Sequence, residues 1–441
     1  VVLLGKEVRC LLTGRALWVL LVILSLLTGY SFTQAVDLFS QASSTAMGYP
    51  ELARGMSPLD GIFVPTFGAL YLATTLLLPF VAIRAIGSDT QTGGLKLLLQ
   101  SGAGLPRIVG AKTAALGLGW LLALIPALSA IGAWSLLGGH VYVPELANLL
   151  LGYTLYALVI AAVAFLAAAV TESSSTAAIV TLAVALGSWV LDFAGDTEGW
   201  LRHAAGLSLT AQLRVFEHGL FSASHAIGLL LAAATLLALS SIWLDPGRNV
   251  RGKALRSIAA VAVAAAIVLV GVAPLRLYAD VSENRRNSFN PADERALRQM
   301  TEPLTITIHM SRQDSRLQEI ERTILPVLRR TVPRLHVVYA DTGGEGLFGA
   351  PSDEMYGLIV YEYDGKRDQS RSTGQGEILP LLHSLAGQTV SPDPVPDYPG
   401  YPLVADASAL GIWFYVLLPA LFGLLWWRNQ HISKPKGGKS R

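Results

Sequence analysis

The residues that come nearest to a chemical motif are "GLPRIVGAKTAA", 104–115, where glycines and a lysine approach the spacing of a phosphate-binding loop. Such a loop needs G-x-x-x-x-G-K-[ST], because the glycines let backbone amides wrap the phosphates and the lysine must follow at once. Here Ala111 separates Gly110 from Lys112, Gly104 lies one residue too far back, and no buried strand precedes the stretch. Lys112 therefore reads as a lysine at a membrane interface, and no nucleotide site is found. Other chemistries fail sooner. The eight histidines are scattered, without the i, i+4 pair of a helical metal site. The single cysteine, Cys10, has no partner for a disulfide or a metal. Neither G-x-S-x-G nor H-E-x-x-H occurs. The acid pairs Asp353–Glu354 and Glu362–Asp364 stand near Lys366 and Arg367, which reads as a solvated, salt-bridged face. No catalytic, cofactor-binding or metal residue is assigned, and the chain is not expected to be an enzyme.

The elements around these residues explain the shortage. The 441 residues are 52% hydrophobic and only 15% charged, with a mean hydropathy of +0.49; a soluble domain carries about 25% charged residues. This is the composition of an integral membrane protein. A net charge of +2, without basic runs interleaved by aromatics, gives no reason to expect nucleic acid.

About 20 apolar residues cross a bilayer core as a helix. Eight segments qualify: 16–36, 65–86, 111–137, 147–170, 176–194, 223–244, 257–278 and 408–427. The first is read as a retained anchor, too long for a leader core. The fifth is the weakest, and its alternative is a buried or re-entrant helix. Basic residues fix the parity. Lys6, Arg9 and Arg15; Lys96, Arg107 and Lys112; Arg248, Arg251, Lys253 and Arg256; and the basic tail from Arg428 all fall on one side only with eight spans. Both termini are then cytoplasmic in a bacterial inner membrane. Residues 195–222 read as short amphipathic helices at the outer interface, with His203, Glu217 and His218 more at home there as solvated groups than as the lining of an exit.

Residues 279–407 change character. "PLTITIHM" alternates like a strand, and "SRLQEIERTILPVLRRTV" has helical spacing with Pro326 as a bend or joint. "RLHVVYAD" and "YGLIVYEYDGKR" follow as strands, the latter turning at Asp364-Gly365; "GEILPLLHSLAG" reads as a helix closed by Gly387. The expected fold is thus an α-helical polytopic membrane protein of eight spans, with a small extracytoplasmic α/β domain between spans seven and eight.

Between spans two and three lies "GSDTQTGGLKLLLQSG", 87–102. Gly93 and Gly94 should break the backbone before a short amphipathic helix over Leu95–Leu99, with apolar residues that need lipid or a protein cleft. Arg84 near the end of span two reads as a snorkelling cation or as a partner for Asp89. Asp192 reads as an end cap of span five, or else as a group facing a cavity, and Glu172, in the tight turn "TESSST", could touch a partner ATPase while the hydroxyls around it cap that same span.

This short stretch resembles the segment after the second span of bacterial ABC-2-type export permeases. Asp89, Gly93, Leu95, Leu98 and Leu99 match that pattern, while Thr90, Gln91 and Gly94 depart from it. The amphipathic start "GKEVRCLLTGR", the six-span core and the interfacial segment are similar to that family too. Downstream, "ADVSENRRNSFNPADERALRQMTEPLTITIHMS" resembles the start of the extracytoplasmic domain of gliding-motility-type auxiliary ABC subunits, with Arg286, Ser288, Glu302, Pro303 and Leu304 in matching positions. The domains expected are a permease core at 1–245, a basic linker and span seven at 246–278, the extracytoplasmic domain at 279–407, and span eight with a basic tail at 408–441. The resemblance implies a separate ATPase subunit, carrying ATP and Mg, beneath a dimer of membrane subunits. Its coupling segment would comprise Asp89, Gly93, Gly94, Leu95, Lys96, Leu98 and Leu99, with Arg84 and Glu172 as candidate gating or interface residues. ATP-driven export is the function so implied. The alternative is a mechanotransmitter that drives an extracytoplasmic machine through its outer domain.

Overall fold

The computed structural model describes residues 2–91, 93–100, 102, 104–193, 204–275, 277–311, 314–340, 355–394 and 397–433. It divides into two units, Val1–Ala279 with Pro399–Arg441, and Asp280–Tyr398. Asp353, Glu354 and His203 lie outside the described residues.

Among the described residues of the larger unit, eight helices are long and apolar enough to cross a membrane: Arg15–Ala46, Leu59–Gly87, Leu105–Leu136, Val143–Val170, Ser174–Asp192, Ala223–Trp243, Val250–Val272 and Ser408–His431. We number them as spans one to eight. Span one runs ten residues past its expected end, and span three begins six residues earlier than expected, with Pro106 in its first turn. The segment expected to be weakest is one unbroken helix, Ser174–Phe193, of 20 residues. At 1.5 Å per residue that is about 30 Å, the thickness of a bilayer core.

Hydrogen bonds sort the helix ends into two sets. At one end Gln430 Nε2 donates to the Thr13 carbonyl at 2.8 Å, so the start of span one and the end of span eight share a level. Gly87 at the end of span two meets Ser174 at the start of span five there. At the other end the Tyr401 amide donates to the Met56 carbonyl, and the Tyr401 ring stacks on His140 at 3.6 Å. Loops between spans one and two, between three and four, and before span eight are therefore neighbours.

Span four is the centre of the packing, with 72% of its most apolar window buried, whereas span seven is only 6% buried. Small residues admit the close approaches. Gly152 lies under Phe216, and Gly61 lies under Phe39, whose ring meets Trp134 edge-on at 5.6 Å. Span eight opens with a 3-10 turn at Ser408–Leu410 and widens into a π-turn at Trp413–Leu417. Ser25 Oγ donates to the Phe414 carbonyl there at 2.7 Å, and Phe414 rests on the bare backbone of Gly29.

The smaller unit carries a sheet of β1 (Leu304–Ile308), β2 (Leu335–Tyr339), β3 (Ile359–Tyr363) and β4 (Lys366–Ser370), in the order β2-β1-β3-β4. β1 runs parallel to β2 and antiparallel to β3. A parallel neighbour needs a crossover, supplied here by two helices, Ser315–Thr323 and Leu325–Thr331, with the joint beside Pro326. Asp364 and Gly365 both have positive φ, 48° and 71°, the turn that a two-residue hairpin demands. β4 is an exposed edge whose Lys366, Arg367 and Asp368 discourage further pairing, and Glu362 reaches Arg367 at 3.5 Å in the open. Helices Pro291–Arg298 and Gln375–Leu385 complete the unit. Its core joins Leu304, Ile306, Ile308, Tyr361, Leu317, Leu328 and Leu382.

Two predictions follow from this packing. Gly29→Leu should drive a side chain into Phe414 and cost about 2 kcal/mol, read as a lower thermal midpoint in detergent, while Gly117→Leu, which meets open space, should stay near the native value. Asp314 caps the helix Ser315–Thr323, and its side-chain bond to Arg316 holds its carboxyl down at about 2. Its contribution is therefore present above an unfolded value of about 4 and is lost as pH falls toward 2. Asp314→Ala should cost about 1 kcal/mol at neutral pH, and the gap to the native protein should narrow in unfolding curves taken at pH 3.

Candidate functional site

The leading helix, Val2–Thr13, turns at Gly14 into span one. Trp18 Nε1 fastens the corner by donating to the Leu12 carbonyl at 2.7 Å. This helix is amphipathic, yet one acid, Glu7, points inward and is buried. Its partner is Lys112, about two turns into span three, with only 3% of its side chain exposed. Lys112 Nζ donates to Glu7 Oε2 at 2.8 Å, to Asp89 Oδ2 at 2.5 Å and to the Ala85 carbonyl at 2.6 Å. An ammonium has three donors, and all three are used. Lys6 closes the group from the solvent side, 3.0 Å from Glu7 Oε1 and 3.5 Å from Asp89 Oδ1. Two cations and two anions thus form a neutral knot that fastens the leading helix, the end of span two and the start of span three.

This geometry sharpens two readings of the sequence. Lys112 is more than a solvated lysine at the end of a span: surrounding helices bury it, and it survives there because three acceptors meet it. Asp89 pairs with Lys112 and Lys6 rather than with Arg84, which is exposed and has no ion pair among the described residues. The phosphate-loop-like stretch is helical from Leu105 onward, so its amides are engaged along the helix and its lysine in the knot.

Beyond Asp89 the chain leaves the bundle. The helix that continues span two runs Leu78–Gln91, and the short helix that follows spans Gly94–Gln100. Glycines with positive φ flank it, Gly93 at 74° and Gly102 at 82°, conformations that other residues adopt only with strain. The break lies at Gly93; Gly94 is already helical. Leu95 packs against the bundle core, Leu98 and Leu99 are half-buried, and Lys96 and Leu97 face outward, Leu97 being 68% exposed. Glu172 is exposed on the turn between spans four and five. Beside it the Ser173 hydroxyl accepts from the Thr176 amide at 3.1 Å and caps span five.

The opposite end of the bundle holds a second polar group. The helix Leu209–Glu217 is capped by Ser208 and seated on span four through Asn148 Nδ2, which donates to the Phe216 carbonyl at 2.9 Å. Tyr153 OH donates to Glu217 Oε1 at 2.8 Å, and Tyr71 of span two meets Thr210 at 3.1 Å. Arg214 pairs with Asp192 at 2.6 Å. Asp192 is thus a bridge to this helix rather than an end cap. Glu217 is a held residue rather than a freely solvated one, and burial pushes its carboxyl above the usual range against the opposing pull of Tyr153 and Arg214.

In the smaller unit, folding brings together His383 and Asp293, 2.8 Å apart, a pair that the sequence does not announce across ninety residues. No group of three or more metal-ligating side chains is found among the described residues. No family model, curated protein or solved structure matches the chain.

The knot makes a quantitative prediction. Lys112→Met leaves the Glu7 and Asp89 carboxylates with the half-exposed Lys6 as their remaining cation and should cost on the order of 3 kcal/mol, seen as a lower unfolding midpoint in detergent. The triple change Lys112→Met, Glu7→Gln, Asp89→Asn removes all three buried charges and should recover most of that loss.

Proposed function

We propose that this chain is the membrane subunit of an ATP-driven complex of the ABC-2 export type, receiving force from a separate ATPase on the cytoplasmic side. The observation that carries the reading is the short helix Gly94–Gln100. Glycines with positive φ flank it, it presents Leu97 and Lys96 outward, and its chain leads directly back to Asp89 in the knot. A helix built in this way is a lever: a partner that displaces it pulls on span two, span three and the leading helix together. Basic residues concentrate at this end of the bundle, which the positive-inside rule makes cytoplasmic in a bacterial inner membrane. The smaller unit is then extracytoplasmic. ATP and Mg belong to the ATPase, and two membrane subunits pair above two ATPase subunits. Displacement shifts an inward–outward equilibrium only if the ATPase binds the two states with different affinity.

The second reading, a mechanotransmitter working an extracytoplasmic machine, is favoured by the dense centre of the bundle. Spans two and four meet there through aromatics, the buried Phe67 on Tyr153 at 5.2 Å and the half-buried Tyr71 on the buried Tyr156 at 5.2 Å. Transport into sealed vesicles separates the two readings.

The first test is gentle purification of the tagged chain from its native membrane, followed by mass spectrometry. An ATPase should accompany the native chain and be lost from Leu98→Asp and Gly93→Pro, with unfolding midpoints confirming that both variants remain folded. Absence of any ATPase from an intact preparation contradicts the proposal.

A further inference from the structure

Between the leading helix and spans one, two and three lies a cavity of about 270 Å³. Leu11, Leu17, Val81 and Leu116 form an apolar part of its walls, the paired Glu7 and Lys112 of the knot close one side, and Arg84 stands on its lining. Cys10 and Thr13 are shared with a wider basin of about 610 Å³, bordered by Lys6, Arg9 and Gln430. The charges around this pair of spaces are unequal in their engagements. Lys112 and Glu7 are consumed by the knot, whereas Arg84 and Arg9 are exposed and have no ion-pair partner among the described residues. An apolar slot thus adjoins an uncompensated cationic rim, at the level where the apolar spans give way to charged chain.

We propose that this cavity and basin form a binding site for an anionic membrane lipid, with an acyl chain in the slot and the phosphate of the headgroup on Arg84 and Arg9. Charge complementarity selects the headgroup, because guanidinium groups match phosphate oxygens in a planar fork. The apolar walls select an amphiphile over a free anion, since inorganic phosphate would leave the slot empty. An occupant would touch the leading helix and span three beside Glu7 and Lys112, and so bear on the knot from its apolar side.

Cys10 is the chain's only cysteine, is exposed, and lines both spaces, which makes it a native reporter. The full chain would be reconstituted into nanodiscs of phosphatidylcholine, with or without phosphatidylglycerol of the same acyl chains, and alkylated with an uncharged maleimide. Occupancy protects in proportion to 1 + [L]/Kd, so phosphatidylglycerol at about four times its Kd should slow the reaction about fivefold. Joint replacement Arg9→Gln with Arg84→Gln should abolish the difference, while Arg107→Gln, an exposed arginine at the same end of the bundle, should preserve it. Equal rates in the two discs overturn the site. Protection that survives the joint replacement overturns it as well, since bulk surface charge would then suffice. Protection by inorganic phosphate in phosphatidylcholine discs would make it a free-anion site and overturn the lipid assignment.

Discussion

An ammonium group held among apolar helices is tolerable only when every one of its protons meets an acceptor. Lys112 imposes that condition on this chain, and much of the bundle end follows from it. One acceptor must come from the leading helix, which fixes the way Val2–Thr13 lies and turns Glu7 inward. Another must come from the segment after span two, which carries the helix past Gly87 and places Asp89 where the chain is about to leave. The short helix therefore begins from an anchored point rather than from a loose loop, and the glycine at 93 confines its freedom to one joint.

Span two links this end of the bundle to the other. Its lower extension holds the knot, while Tyr71 and Thr75 farther up engage Thr210 and Tyr156. The helix Leu209–Glu217 is also tied to span four by Tyr153 and Asn148, and to span five by Arg214 and Asp192. A displacement of span two thus has polar fastenings to act on beside the knot and midway along the span. Packed cores transmit such a displacement because they are dense and do not deform continuously.

Patterns with a single period were legible in the sequence. Long apolar runs announced the spans, alternation announced β1, Pro326 announced the joint between two helices, and Asp364-Gly365 announced the hairpin. The short helix between spans two and three was legible from its glycines and leucines. The knot was not, because Glu7, Asp89 and Lys112 come from three separate helices and each alone has an ordinary explanation at a membrane surface. A signal did exist: Lys112 is followed by more than twenty residues without a charge, and it sits inside the helix rather than before it. Pro106 at the first turn would have moved the start of span three back and put the lysine inside it. Glu217 and Asp192 were misread for the same reason, since tertiary partners rather than local sequence decide whether a charge at a helix end is solvated. His383 and Asp293 meet only because the helices that carry them pack together.

The central claim is that Lys112 makes one mechanical unit of the leading helix, the end of span two and the short helix beyond it. Hydrogen–deuterium exchange of the full chain in detergent tests it directly, comparing the native protein with Lys112→Met. The account predicts that exchange rises together in residues 2–13, 85–91 and 94–100, while the smaller unit at 280–398 is unchanged. A rise confined to span three around position 112, with the leading helix and the short helix protected as before, would contradict it.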